Sequence, residues 1–365
     1  MGVAVLMRVL VVNAGSSSLK LSVVGSREEV LASESVPVRR GVWDRGAVRA
    51  ALEGFPAVEA VGHRVVHGGR EFVSPVRLDA RVVGRLRALG DLAPLHQPKS
   101  LAGIEAVEGV LPGLPAVACF DTAFHAGMPR EASTYAVPER WRREWGVRRF
   151  GFHGLSHAYA WRRAVEMAGG VRRVVTAHLG AGASLAAVLE GRGVDTTMGF
   201  TPLEGLVMAT RSGSVDPGMV LWLHQHAGLA VQEIAEALEH ESGVLALAGS
   251  ADMREVLGRV DAEAVLAAGV YVHRLRAGVA AMAASLGGLD ALVFTGGVGE
   301  GSALVRARVA EGLGFLGVEV DAGANEGVGV EGEVSAAGAA VRTLVVHARE
   351  DVEVARGVRE VVGGG

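Results

Sequence analysis

One stretch near the amino terminus, VLVVNAGSSSLKLSVV from Val9 to Val24, restricts most strongly what this chain can fold into. Its first residues are β-branched or aliphatic and end at a polar turn, which is typical of a buried strand. The turn, Asn13 to Ser18, contains one glycine and three serines, so backbone N–H groups and hydroxyls can receive an anion there. The alternating residues that follow predict a returning strand with Lys20 near the turn. The stretch therefore predicts a strand hairpin with a phosphate-sized turn.

Taken alone, the same stretch also fits an ordinary Ser/Gly hairpin on a β-sheet, so other features must decide its function. A Walker A loop needs Gly-Lys followed by Ser or Thr, whereas the two lysines, Lys20 and Lys99, do not follow glycine. The His-Arg-Asp loop of protein kinases is also missing from the sequence. A nucleotide enzyme with this sequence would belong to another class.

Length and composition indicate a globular protein of two domains. The chain has 365 residues, half of them hydrophobic, with a formal net charge of −4. Its arginines are scattered among acids and form no basic stripe, so we expect no nucleic-acid partner. A single cysteine, Cys119, excludes an internal disulfide and indicates a reducing compartment. Neither a signal peptide nor an apolar run of about 18 residues is found, so we expect a cytoplasmic protein without a membrane span.

The second half of the sequence repeats the plan of the first. Val171 to Leu179 is predicted to be a strand, and the turn Gly180-Ala181-Gly182-Ala183-Ser184 leads into a return strand. Two hairpins of this kind predict a duplicated domain with a cleft between the copies. A third glycine-rich loop is predicted from Thr295 to Glu300, and the segment Met128 to Arg149, which holds two prolines, is interpreted as a linker between domains.

An ordered set of motifs indicates one family. Through these motifs the sequence resembles the acetate kinase family, within the acetate and sugar kinase, Hsp70 and actin superfamily, over nearly the whole chain. The resemblance rests on VLVVNAGSSSLK, GHRVVHGG, APLHQP, FDTAFHAGMP, RRFGFHGLSH, AHLGAGAS, GFTPLEGLVMATRSG, ADMR and FTGGVGE. It implies an α/β fold of two similar βββαβαβα domains, the actin-like ATPase or ribonuclease H-like duplication, with the active site in the cleft between them. The implied domains are residues 7–122 with 351–365, and residues 123–350, the latter binding the nucleotide.

The resemblance also implies the reaction, a reversible phosphoryl transfer from ATP to acetate that gives acetyl phosphate and ADP. It implies Mg²⁺ as the cofactor, with Mn²⁺ as an alternative, and a homodimer formed through the second domain. Acetate is already an anion at neutral pH, so no base is needed to activate it. The obstacle is the approach of two anions, which repel by about 4 kcal/mol at 4 Å and an effective dielectric of 20. The site must therefore supply positive charge.

Two arginines and a histidine meet that need. By the resemblance, Arg64 and Arg211 hold the carboxylate and stabilise the transferring phosphoryl group; the alternative is structural ion pairing. His153 resembles the family's histidine that contacts the phosphoryl oxygens. His153 and His157 also have the spacing of a zinc pair on a helix, but the intervening Gly154 and the lack of an acidic ligand nearby argue against zinc.

Asp121 resembles the family's catalytic carboxylate, and we expect it to orient groups and hold the metal; the alternative is a helix cap. The remaining site residues follow from the same resemblance. The metal positions are Asn13 and Glu350, and the acyl pocket is formed by Val66, Leu95, Phe152 and Pro202. The ATP-contacting positions are Lys20, His178, Leu179, Gly180, Ala181, Gly182, Asp252, Met253, Arg254, Gly297, Val298, Gly299, Glu300 and Gly301.

This sequence departs from the family pattern at a few of these positions. Ala181 and Gly301 stand where the family usually has asparagine, and Ser214 stands where it usually has aspartate. By the resemblance, these departures affect how strongly the protein binds the ATP phosphates and the metal. A methylene is worth only about 1 to 3 kcal/mol in discrimination, so propionate, and less readily butyrate, is an alternative substrate. A second alternative is a non-catalytic ATP-driven binding module of the same superfamily.

Overall fold

The computed structural model describes residues 7–15, 18–37, 43–90 and 97–364. The strands in these residues are β1 (Val9–Ala14), β2 (Ser18–Val24), β3 (Val30–Pro37), β4 (Ala60–Val65), β5 (Val76–Arg77), β6 (Ala116–Phe120), β7 (Arg173–Leu179), β8 (Ala183–Leu189), β9 (Arg192–Thr196), β10 (Ala291–Thr295), β11 (Gly332–Glu333) and β12 (Arg342–Val345). The helices are α1 (Arg45–Glu53), α2 (Ala80–Ala88), α3 (Gln97–Glu108), α4 (Arg130–Ser133), α5 (Glu139–Glu144), α6 (Gly154–Ala168), α7 (Pro217–Gln225), α8 (Val231–His240), α9 (Gly243–Ala248), α10 (Met253–Leu257), α11 (Ala262–Leu286), α12 (Gly296–Gly301), α13 (Ala303–Glu311), α14 (Ala322–Gly327) and α15 (Glu350–Gly363).

The chain divides into two compact units. The first unit comprises Met1–Ala126, Gly154–Tyr159 and Arg349–Gly365, and the second comprises Gly127–His153 and Ala160–Ala348. Each unit is built on one six-stranded mixed sheet. Residues 154–159, which the sequence analysis assigns to the second domain, belong to the first unit by their contacts.

The sheet of the first unit has an apolar layer on each face. Leu10 and Val12 of β1 lie in one buried cluster, with residues of α1 and α3. The alternate residues Val9 and Val11 lie in a second cluster, with residues of α15. This period of two is what a central strand covered on both faces requires. The carboxyl-terminal helix α15 therefore forms part of the core of the first unit.

Two small residues allow α15 to pack closely on this sheet. A Cβ added at Gly62 would lie 2.5 Å from Val354 Cγ1, so a larger residue would push the helix away. Cys119 is fully buried and its thiol lies 3.6 Å from the Val354 carbonyl oxygen. Burial raises the pKa of the Cys119 thiol well above its ordinary value, so the thiol stays protonated.

The two sheets have the same topology, and the predicted duplication is confirmed. In the first unit the strand order is β3-β2-β1-β4-β6-β5, and in the second it is β9-β8-β7-β10-β12-β11 when it is read in the same direction. In both, an antiparallel three-stranded meander is followed by two parallel strands and an antiparallel edge strand. The β1–β2 turn and the β7–β8 turn therefore occupy equivalent positions in the two sheets.

The prediction of a third glycine-rich loop is wrong, because Gly296–Gly301 form the short helix α12. Glycine disfavours helices, so contacts at both ends must hold this one. At its start the Gly296 N–H donates to Glu300 Oε1 at 2.8 Å. At its end the buried Arg306 guanidinium donates to the carbonyl oxygens of Gly299 and Glu300, at 2.9 and 2.6 Å.

The interpretation of Met128 to Arg149 as a linker is wrong. The segment contains α4 and α5 and is part of the second unit. The Arg149 guanidinium donates to the carbonyl oxygens of residues 196–198 at 3.0 to 3.2 Å and pairs with Glu204 at 2.6 Å. Tyr135 also donates to Glu204. Across the part of the chain that the structure describes, no helix has the length and apolar character to cross a membrane.

Candidate active site

Three parallel strands of the first unit end at the same edge of its sheet and place functional side chains there. Asn13 on β1 is directly opposite Arg64 on the neighbouring parallel strand β4. Asp121 follows β6, which pairs with β4 on its other side. Because these carboxyl ends are adjacent, residues far apart in sequence come together, as expected for an α/β sheet.

Arg64 is the centre of this group. Its Nε and Nη2 donate to the two carboxylate oxygens of Asp121 at 3.0 and 2.5 Å, and its Nη1 donates to Asn13 Oδ1 at 3.2 Å. Glu350 Oε2 lies 3.5 Å from Arg64 Nε. Burial alone would lower the pKa of Arg64, but the charges of Asp121 and Glu350 outweigh it and raise that pKa above its ordinary value. Arg64 is therefore a permanent cation held in a fixed orientation.

The predicted metal positions, Asn13 and Glu350, lie side by side, with Asn13 Nδ2 and Glu350 Oε2 3.5 Å apart. One carboxylate with an amide oxygen suits Mg²⁺, which keeps several waters and takes the rest of its ligands from substrate phosphates. Within the described ranges, no group of three or more His, Cys, Asp or Glu side chains could hold a metal by itself. Among the described residues, Asn13 and Glu350 would thus supply only part of the ligands of a metal ion.

The second unit has its own group, formed around the β7–β8 turn. His153 precedes α6 with φ 55° and ψ 22°, a left-handed conformation that is uncommon outside glycine. Its Nδ1 lies 2.9 Å from Ser184 Oγ, and its ring centroid lies 4.3 Å from that of His178. A Cβ added at Gly182 would lie 3.3 Å from His153 Nε2 and 3.6 Å from Arg211 Nη1. Glycine at position 182 therefore leaves a space that this histidine and this arginine border.

Arg211 differs from Arg64 in its partners. Its Nη1 donates to the Pro202 carbonyl oxygen at 2.9 Å and lies 3.6 Å from Met208 Sδ. It makes no ion pair with any residue that the structure describes. Burial lowers the pKa of Arg211 from its ordinary value, although Glu239 opposes the shift. A half-buried cation without a carboxylate is an unfavourable state, and a bound anion would relieve it.

A cavity of about 590 Å³ adjoins this group in the second unit, a size typical of small-molecule sites. It is lined by Gly180, Ala181, Asp252, Met253, Arg254, Leu257, Gly258, Gly297, Val298, Gly301, Ser302, Ala303 and Leu304. Eight of the predicted ATP-contacting residues are in this list, so the structure brings together positions that the sequence separates by more than a hundred residues. Asp252 caps α10, and its hydrogen bonds from Arg254 lower the pKa of its carboxyl to about 2.

Three other predicted ATP-contacting residues, Leu179, Glu300 and Lys20, are not among the residues that line this cavity. Leu179 is fully buried, so only its backbone can face a ligand. The Glu300 carboxylate accepts from the N–H groups of Gly296 and Ala348 at 2.8 and 2.9 Å and contacts His347 Nδ1 at 2.6 Å. The Glu300 carboxylate therefore binds backbone and side-chain groups of the protein itself. Lys20 is exposed on β2, opposite Asn13 of the first unit.

The predicted acyl-pocket residues are divided between the units. Val66 is buried in the first unit, directly after β4. In the second unit Phe152 is buried and the carbonyl oxygen of Pro202 accepts from Arg211. Leu95 lies outside the described residues, as do Ser16 and Ser17 of the first turn.

Sequence reasoning missed the functional importance of Gly154. Its N–H donates to the Asp121 carbonyl oxygen at 2.9 Å, and an added Cβ would lie only 2.2 Å from that oxygen. Any side chain at position 154 would therefore displace the backbone of Asp121. The signal was present as the Gly of Phe-His-Gly, which the sequence analysis used only against zinc.

Comparison with known proteins shows the family of this chain. The pattern of the Acetokinase family matches residues 47–356. The chain belongs to the acetate kinase family. It is 47% identical to the acetate kinase of Deinococcus deserti, with 98% of each chain covered. The solved acetate kinase of Porphyromonas gingivalis superposes with a TM-score of 0.88 at 35% identity, covering 98% of this chain and all of the other. A propionate kinase from Francisella tularensis superposes with a TM-score of 0.90 at 33% identity, covering 97% of this chain and all of the other.

Proposed function

We propose that this chain catalyses the reversible transfer of a phosphoryl group from ATP to acetate, giving acetyl phosphate and ADP. The observation that carries the proposal is in the second unit, where Arg211, which forms no ion pair among the described residues, borders the space over Gly182 together with His153. This space adjoins a cavity large enough for a nucleotide. Family membership selects the acceptor class, because relatives that cover almost the whole chain are acetate kinases.

Each group has a role that follows from its chemistry. Arg211 and the Nε2 of His153 offer hydrogen bonds to oxygens of the transferring phosphoryl group, where negative charge must be stabilised. Arg64 holds the acetate carboxylate, and Asp121 keeps the Arg64 guanidinium in one orientation. Since acetate is already ionised at neutral pH, no residue needs to take a proton from it.

We assign the metal to the Glu350 carboxylate and the Asn13 amide oxygen, which in this structure accepts from Arg64 Nη1 at 3.2 Å while Asn13 Nδ2 faces Glu350. Mg²⁺ bound there with the nucleotide would reduce the charge of the phosphates, and Mn²⁺ could replace it. Asp121 contributes indirectly, because both of its oxygens accept from Arg64.

Propionate is the second candidate acceptor. The similarity to a propionate kinase at a TM-score of 0.90 favours it, and one extra methylene changes binding by only about 1 to 3 kcal/mol. Val66, Phe152 and Pro202, with Leu95, are the residues that we assign to the acyl pocket. Their apolar side chains suit a short alkyl group and disfavour a charged one.

We also propose that the chain works as a homodimer in the cytoplasm, with α7 and α11 of the second unit in the interface. These helices expose Leu221, Trp222, Val265 and Leu266, each more than half accessible. Exposed apolar side chains of this size are typical of protein interfaces. The substitution Trp222→Glu should convert the dimer to a monomer in sedimentation velocity experiments, and a dimer that persists would contradict this assignment.

The first test is a hydroxamate assay for acyl phosphate with ATP and Mg²⁺, run with acetate, propionate and butyrate. We expect product with acetate, less with propionate, and loss of product in Arg64→Ala and Arg211→Ala. Arg172→Ala is the matched control, because Arg172 pairs with Glu190 at the surface of the second unit. ATP hydrolysis that needs no acid, without acyl phosphate, would instead indicate a nucleotide-driven binding module.

A further inference from the structure

The contact between His153 and Ser184 has no role in the function described so far. His153 Nδ1 lies 2.9 Å from Ser184 Oγ. Ser184 is fully buried near the start of β8, directly after the glycine turn and opposite His178 of β7. The backbone of Ser184 is held by strand pairing in the sheet of the second unit, whereas His153 lies outside regular structure.

The contact holds the His153 ring in one of its two orientations about the Cβ–Cγ bond. With Nδ1 on Ser184, the Cε1–Nε2 edge of the ring faces the Cβ position of Gly182, and both atoms lie 3.3 Å from it. Arg211 Nη1 borders the same position at 3.6 Å. A ring turned by 180° about its Cβ–Cγ bond would remove Nδ1 from Ser184, so the orientation and the hydrogen bond depend on each other.

The direction of this hydrogen bond also decides which nitrogen of neutral His153 carries the proton. In neutral imidazole one nitrogen donates and the other accepts, and the partner of one nitrogen decides the state of the other. If the Ser184 hydroxyl donates to Nδ1, the proton of neutral His153 must be on Nε2. If the ring is protonated, Nδ1–H donates to the same hydroxyl oxygen and Nε2 still carries a proton. A hydroxyl suits both states, whereas a carboxylate would favour only the charged one.

We propose that Ser184 is a positioning residue for phosphoryl transfer, which holds His153 by Nδ1 so that Nε2–H donates to the transferring group. The proposal deepens the function proposed above and rests on the assignment of His153 to the phosphoryl oxygens. Ser184 itself touches neither substrate. Its effect should therefore fall on the transition state, where the charge on the phosphoryl oxygens is placed against His153, and not on binding of acetate or ATP.

The kinetic test compares Ser184→Ala and Ser184→Cys with the wild-type protein in the hydroxamate assay. A lost hydrogen bond of this kind should lower kcat about tenfold in the alanine variant, with KM for acetate and ATP unchanged within about twofold. Cysteine retains a weak donor, so its kcat should lie between the two. Ser133→Ala is the control, because it removes another buried serine hydroxyl of the second unit, which donates to the carbonyl oxygens of Pro129 and Arg130.

The spectroscopic test reads the proton directly. ¹⁵N–¹H correlation spectra of the imidazole rings distinguish the two tautomers, and the His153 signals are assigned as those missing from His153→Gln. We expect the wild type to hold the proton on Nε2 and Ser184→Ala to show a mixture. A neutral wild-type His153 with its proton on Nδ1, or an alanine variant with unchanged tautomer and kcat, would overturn the proposal. If the wild type made no acyl phosphate, the proposed function would fail, while the spectra would still decide whether Ser184 sets the tautomer.

Discussion

Arg64 and Asp121 are joined by two parallel hydrogen bonds, from Nε to Oδ1 at 3.0 Å and from Nη2 to Oδ2 at 2.5 Å. The Asp121 side chain is only 1% exposed and that of Arg64 is 17% exposed, so the carboxylate depends on this arginine for charge compensation. A two-bond pair of this geometry fixes the plane of the guanidinium as well as its distance. Asp121 thus fixes the orientation of Arg64, which we propose holds the acetate carboxylate.

This relationship predicts the effects of two substitutions at position 121. In Asp121→Ala the guanidinium loses its main partner, and breaking a buried pair costs about 3 to 5 kcal/mol of unfolding free energy. In Asp121→Asn one acceptor remains, so the loss of stability should be smaller, but Arg64 can no longer be held by two bonds. Misplacement of a binding group by about 1 Å can cost on the order of 100-fold in rate, and we expect a loss of that size in kcat/KM.

Urea unfolding and the hydroxamate assay check both parts of this prediction. Glu105→Gln serves as the control, because it removes a carboxylate from an exposed pair with Arg87. Exposed pairs contribute only about 0 to 1 kcal/mol. An Asp121→Asn variant with wild-type kcat/KM would show that the orientation of Arg64 does not depend on this carboxylate.

The sequence could predict where these groups lie but not how they pair. Arg64 lies at the end of a buried strand and Asp121 directly follows another. Strand ends are where α/β proteins collect ligand groups. Their two-bond pairing joins residues 57 positions apart and depends on the lateral order of β4 and β6. No local sequence pattern predicts the order of the strands within the sheet.

The errors at α12 and at the supposed linker have a common physical cause. Local propensity correctly disfavours a helix for Gly296–Gly301, but side chains from elsewhere, among them Arg306, satisfy its terminal groups. Two prolines in residues 128–149 correctly indicate breaks in regular structure, yet Arg149 attaches the segment to the second unit. In both places tertiary hydrogen bonds override a correct local signal.

Gly182→Ala should lower activity without unfolding the protein. The added methyl group would lie 3.3 Å from His153 Nε2 and 3.6 Å from Arg211 Nη1, distances that need only small shifts of two side chains. It would occupy the space proposed for phosphoryl oxygens, so we expect kcat/KM for ATP to fall by about 100-fold. Gly269→Ala, in α11 with open space around its Cβ position, should keep full activity. Wild-type kinetics in Gly182→Ala would mean that the phosphoryl group binds elsewhere.

Glu300→Ala should destabilise the second unit and weaken nucleotide binding. The substitution removes the acceptor for the N–H groups of Gly296 and Ala348, and a buried donor without a partner costs about 1 to 3 kcal/mol. Because α12 lines the cavity that we propose for the nucleotide, its loosening should raise KM for ATP several-fold while KM for acetate changes little.

His347→Ala separates the two functions of Glu300. It removes the contact of the carboxylate with an exposed histidine and leaves both backbone hydrogen bonds in place. We expect thermal unfolding and KM for ATP close to those of the wild type. Equal effects in Glu300→Ala and His347→Ala would show that the histidine contact, and not the capping of α12, is what matters.

Two buried histidines of the first unit should make the fold sensitive to mild acid. Burial lowers the pKa of His63 to about 3 and that of His67 to about 4, against an ordinary value near 6.5 in the unfolded chain. Between these values the unfolded state binds a proton that the folded state does not. Stability therefore rises with pH in this range and falls as the pH drops from about 6.5 towards 4, each histidine contributing a slope of about 1.4 kcal/mol per pH unit.

Urea unfolding between pH 7 and pH 5 measures that slope. In His63→Gln the titrating group is gone, so the slope should become shallower by about 1.4 kcal/mol per pH unit at the acid end, whatever the variant's stability at pH 7. The substitution His240→Gln changes an exposed histidine of the second unit, outside α7 and α11, and serves as the surface control. A slope in His63→Gln as steep as that of the wild type would mean that the His63 imidazole becomes charged within the folded protein, which its 3% exposure makes unfavourable.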